Sequence, residues 1–156
     1  MAKYPLEPLA RLREEKAEQA AQALAESVRK REGATRGLRA AEVRRDAHGA
    51  AVSTVRQGEL KALARGELRA LDVARTDAWG VRVAAEHAAH KGMVERAQAA
   101  EAHARGEEAS AQQALSSRQA DAEVVVGHRR RWQGEAARQQ EAREEEAAFE
   151  AWRPKR

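Results

Sequence analysis

Five histidines are the side chains of this 156-residue sequence best suited to hold a metal, since it contains no cysteine. His87 and His90 stand three apart, on one face of any helix that carries them, with Glu86 beside them. Such spacing can seat a metal ion. No third ligand follows at a fitting distance, and the His-Glu-x-x-His order is absent. The two are therefore expected to be solvated or to edge a helix seam, and neither metal nor cofactor is expected. His48, His103 and His128 stand alone. Carboxylates occur side by side at Glu107 and Glu108 and again at Glu144, Glu145 and Glu146. Catalytic carboxylates need burial or a cleft to separate their pKa values, whereas in a charged helix such residues make solvent-facing i,i+4 pairs. No phosphate loop, nucleophile elbow or Cys/His arrangement is present, so no enzyme is expected. Arg129, Arg130, Arg131 and Trp132 form a basic run with an aromatic residue that could meet phosphates. Glu135, Glu141 and Glu144 follow within a few turns and would repel a nucleic-acid backbone.

The elements carrying these residues are set by proline and alanine. From Leu9 to Arg153 there is no proline, with Pro5 and Pro8 before this stretch and Pro154 after it. Proline costs about 3 kcal/mol inside a helix, so these positions mark the borders of a long helical element. The chain has 38 Ala but one Phe and one Tyr, too little bulk for a layered core. Charged residues make up 35% of it, and an Ala, Glu, Arg and Leu composition with helical spacing points to a coiled coil. The net charge of +4 is a small excess of 29 basic over 25 acidic residues, which permits anionic partners without demanding them. There is no apolar run of about 18 residues, and Met1-Ala2-Lys3-Tyr4 lacks a signal core. Neither membrane insertion nor secretion through a cleaved signal is expected.

Two seams emerge. Ala17, Ala20, Leu24, Val28, Arg31, Ala34, Leu38, Ala41, Arg45, His48, Val52 and Val55 step mostly by threes and fours, as a/d positions do. Val94, Ala97, Glu101, Ala104, Glu108, Ala111, Leu115, Arg118, Ala122, Val125, Arg129, Trp132 and Ala136 do the same, with Trp79 and Val83 upstream on the same face. Between them, Gly58-Glu59-Leu60 and Gly66-Glu67-Leu68 repeat at a spacing of eight, which breaks a heptad. Glycine can end a helix in the left-handed conformation, so the turn is placed here. The expected fold is all-α, a long antiparallel two-helix coiled-coil hairpin. Residues 1–8 are an extended lead and residues 9–156 one hairpin. Its first helix covers about 9–57, its turn about 58–67 and its second helix about 68–152. Leu60, Leu63, Leu68, Leu71 and Trp79 either close the turn or form an exposed tip. Phe149 and Trp152 fall where no first-helix residue lies opposite, which suits docking on another protein.

The opening Lys3-Tyr4-Pro5-Leu6-Glu7-Pro8-Leu9, followed by Arg11-Leu12-Arg13-Glu14-Glu15 and Ala-rich helix, resembles the FliJ/YscO family of type III secretion stalk proteins. The injectisome (YscO) branch is the nearer one. The resemblance implies a cytoplasmic hairpin at the inner-membrane secretion apparatus. The end with both termini would enter a hexameric secretion ATPase, and the stalk would link that ring to the export gate; some members handle secretion chaperones. By region, the ATPase end would include Leu9, Leu12, Phe149 and Trp152, and the export-gate contact Leu71, Trp79 and Val83. The rival readings are a free oligomerising coiled-coil adaptor and, behind it, a basic helical nucleic-acid binder.

Overall fold

The structure, a computed structural model, describes residues 3–152, with the backbone alone at 70, 71, 73 and 74. The described residues form two helices and no strand: α1 (Glu7–Ala64) and α2 (Ala70–Trp152). They make an all-α two-helix hairpin. Helix α1 starts two residues earlier than the sequence places it, with Glu7 N–H donating to Tyr4 O at 3.3 Å. Pro8 occupies the first turn, where a missing N–H costs nothing.

The turn is later and tighter than the sequence reading has it. Gly58 lies within α1, and the helix runs on to Ala64. Gly66, at φ 70°, is the terminator. Its N–H donates to Leu63 O and that of Glu67 to Ala62 O, both at 3.0 Å, the two bonds of a Schellman cap. Three residues later α2 begins, and Asp72 Oδ2 accepts from Arg69 N–H at 3.0 Å, satisfying a free donor at the N-terminus. The repeated triplet thus has two fates. The first copy stays helical because Glu59 and Ala62 continue the seam as half-buried positions; the second makes the turn.

Contacts divide the chain into two units, one of Met1–Ala25 with Ala109–Arg156 and one of Glu26–Glu108. In the first unit, Tyr4, Ala10 and Val125 form a small buried cluster with Trp132 packed against it. Across the helices Arg13 pairs with Asp121 and Arg129 with Glu7. In the second unit Val83, Val94 and Ala104 are buried. There Arg31 pairs with Glu108, and Thr35 Oγ1 donates to Glu101 at 3.2 Å. Glu101, only 8% exposed, also meets Arg105 at 2.7 Å, so its buried charge is compensated.

The seam positions read from the sequence are half-buried or buried except Val55 and Arg118, which are exposed. At Val28 the structure departs from the sequence reading by one residue. The strict heptad between Leu24 and Arg31 falls on Ser27, and Ser27 is the buried residue while Val28 is half-buried. Position, not hydrophobicity, decides which side chain faces the partner helix.

Candidate partner-binding surfaces

In the first unit Tyr4, ahead of α1, meets Trp132 of α2, rings 5.5 Å apart and edge to face. Beyond Ala136 every described residue of α2 is exposed. From Trp132 to the end of α2 at Trp152 the helix runs on for roughly 30 Å, at 1.5 Å per residue. The seam positions after Ala136 are Gln139, Arg143, Glu146 and Glu150, all polar. Ala142, Phe149 and Trp152 each sit one residue before a seam position, about 100° round the helix. Phe149 is 67% and Trp152 81% exposed, while Leu9 and Leu12 are exposed near the start of α1. The four residues expected at the ATPase end therefore all lie in this unit and all reach solvent.

The lead contributes a feature that helical periodicity does not reveal. Tyr4 is buried against α2, with its hydroxyl 2.8 Å from His128 Nδ1 and the Arg129 guanidinium 5.4 Å from its ring centroid. His128 is thus not isolated. Arg129 is occupied by Glu7 and Tyr4, which leaves Arg130 and Arg131 as the exposed part of the basic run. A residue outside the helix has no place in a heptad, so only the aromatic character of Tyr4, directly before Pro5, signals it.

In the second unit, a groove of about 270 Å³ beside the turn is lined by Arg56, Glu59, Leu60, Leu63, Leu68 and Thr76. Leu60 is 65% and Leu63 58% exposed, so these leucines form an open apolar tip. Thr76 Oγ1 donates to Asp72 O at 3.0 Å and lies 3.4 Å from Glu59 Oε1. Of the three residues expected to meet an export gate, Trp79 is half-buried and Val83 is buried in the seam. The side chain of Leu71 lies outside the described residues. Val83 thus offers little surface of its own.

His87 points to solvent, and His90 turns inward to face His48. Among the described residues no three or more His, Asp or Glu side chains gather as metal ligands. The Lys30 ammonium is pushed above its usual range by its hydrogen bond to Glu26 and then by the charges of Glu26 and Glu107. Among the described residues the surface features are exposed apolar side chains beside the turn and late in α2, and a seam rich in polar residues.

No protein-family model matches the chain, and no curated protein does. Among solved structures it is similar to CT670 of Chlamydia trachomatis, described as a candidate YscO homologue. The two share 22% identity at a TM-score of 0.85, over 97% of this chain and 93% of that one. Nearly the whole length of each follows the other, so this chain has the fold of that YscO-like protein.

Proposed function

We propose that this chain is the central stalk of a bacterial type III secretion system, an injectisome stalk of the FliJ/YscO family, with a coupling rather than a catalytic role. The observation that carries this reading is the bare end of α2, whose exposed Phe149 and Trp152 have no α1 residue opposite. The fold shared with a YscO-like protein and the opening Lys3-Tyr4-Pro5-Leu6-Glu7-Pro8-Leu9 support it. In this reading Leu9, Leu12, Phe149 and Trp152 meet the hexameric secretion ATPase. Contacts that differ between subunit states of the ring would bias those states in turn. The turn end, through Leu71, Trp79 and Val83, meets the cytoplasmic part of the export gate, and secretion chaperones are further partners. The protein would work in the cytoplasm at the inner membrane. No helix among the described residues is long and apolar enough to cross one.

The test is ATP hydrolysis by the cognate secretion ATPase, with and without the chain. The intact chain should raise the rate, and Phe149→Ala with Trp152→Ala should remove the increase. A chain that neither binds the ATPase nor alters its rate overturns the reading. The exposed Val43, Leu60, Leu63 and Val81 favour a second reading, a self-associating coiled-coil adaptor. A stable dimer or tetramer by solution mass, without ATPase binding, would establish it.

A further inference from the structure

One layer of the second unit's seam brings two imidazoles together across the helices. His48 on α1 and His90 on α2 have ring centroids 4.8 Å apart, with planes inclined at 35°. Nε2 of His48 and Nδ1 of His90 are both buried and hydrogen-bond to nothing in the protein. A buried nitrogen without a partner is costly, and two in one layer call for an explanation. The other nitrogen of His48, Nδ1, lies 3.9 Å from Glu86 Oε2. At that distance the carboxylate is a charged neighbour of the ring and not its hydrogen-bond partner. Two buried imidazole nitrogens contributed by facing helices are donors of the kind that hold a borderline divalent ion.

We propose that His48 Nε2 and His90 Nδ1 bind a borderline divalent metal ion, Zn²⁺ or Cu²⁺, that ties α1 to α2. Imidazole suits these ions, while Mg²⁺ and Ca²⁺ prefer oxygen ligands. With two protein ligands, the remaining coordination positions fall to water, so binding is exchangeable and weaker than in a closed four-ligand site. The ligands come from opposite helices, and the ion therefore binds the paired hairpin in preference to the unfolded chain, which raises thermal stability.

The experiment titrates the full chain with Zn²⁺ and with Cu²⁺ by calorimetry, with Mg²⁺ as the control ion, and follows the thermal midpoint by circular dichroism. One ion per chain and a midpoint raised by several degrees are expected. His48→Leu and His90→Leu should each weaken binding at least tenfold and abolish the midpoint shift. Leucine suits a seam position, so both variants retain the hairpin. His87→Ala and His103→Ala, which remove exposed imidazoles, should leave both readouts intact. Absence of saturable binding, or binding unchanged in His48→Leu and His90→Leu, overturns the proposal. These measurements use the isolated chain, so the stalk reading stands or falls separately.

Discussion

Two glycines eight residues apart give a sharp test of how this hairpin turns. A methyl group added at either Gly58 or Gly66 meets nothing within 4 Å, so packing cannot distinguish them. Backbone conformation does. Gly58 is inside α1, where Gly→Ala raises helix propensity and lowers the entropy of the unfolded chain. Gly58→Ala should therefore stabilise by about 0.5–1 kcal/mol. Gly66 holds φ at 70°, where a Cβ crowds the following carbonyl at a cost of about 1–2 kcal/mol. Its substitution by Ala should destabilise by about 1 kcal/mol after the smaller unfolded-state gain. With a urea slope of about 1.5 kcal/mol per molar, the midpoints should move by about 0.5 M, upward for Gly58→Ala and downward for Gly66→Ala. Circular dichroism at the helical minimum reads both. A Gly66→Ala chain as stable as the parent, or a destabilising Gly58→Ala, would refute the placement of the turn at Gly66.

Tyr4→Phe removes only the bond to His128 and should cost about 1 kcal/mol; Tyr4→Ala also removes the Trp132 and Arg129 contacts and should cost about 2–3 kcal/mol. Hydrogen exchange over the first turns of α1 should report the loss, and unchanged protection would exclude a latch. Glu101→Leu exchanges a buried charge for an apolar seam residue and should be neutral or stabilising by up to about 1 kcal/mol in thermal melts. Phe149→Ala with Trp152→Ala should leave stability within about 0.5 kcal/mol of the parent, since both rings reach solvent; a larger loss in denaturation would mean that the chain itself covers them. Arg13→Asp places a like charge opposite Asp121 and should destabilise. Adding Asp121→Arg should restore about 0.5–1 kcal/mol, read as the coupling energy of a double-mutant cycle.

The seams were legible because the sequence keeps threes and fours even where the residues are charged. Arg31 and Glu101 read as interruptions, yet each sits at its heptad position with a partner from the opposite helix. The turn was less legible. Gly58 and Gly66 carry the same following residues, Glu and Leu, so local sequence could not separate helix interior from helix end. The hydrogen bonds of Gly66 and Glu67 to α1 carbonyls decide between them. Of the candidate surfaces, Phe149 and Trp152 could be found by counting, since the second seam runs past the start of the first. The Tyr4 contacts and the His48–His90 layer could not, because both depend on which residues face each other across the helices.

That cross-helix register is itself a product of the polar residues. Alanine fills so many seam positions that apolar packing alone would change little on a slip of one heptad. The ion pairs respond differently. If α2 shifted by seven residues one way, Glu7 would lose Arg129 and face Ala122, and Arg13 would face Ala114. If it shifted the other way, Glu7 would face Ala136, Arg31 would meet Leu115 in place of Glu108, and Arg13 would meet His128. Each pair contributes modestly, on the order of 0.5–1 kcal/mol. Either slip breaks both ion pairs of the first unit at once and leaves charges facing apolar side chains, whereas in the second unit only the latter slip takes Arg31 from a carboxylate, since the former brings it opposite Glu101. Polar seam residues select register in coiled coils at a cost in stability. Past Trp132, which meets Tyr4, the seam positions Gln139, Arg143, Glu146 and Glu150 offer no apolar face for a helix to pair along. The residues that select the register at a cost to the seam give way there to an end of α2 on which Phe149 and Trp152 stay exposed.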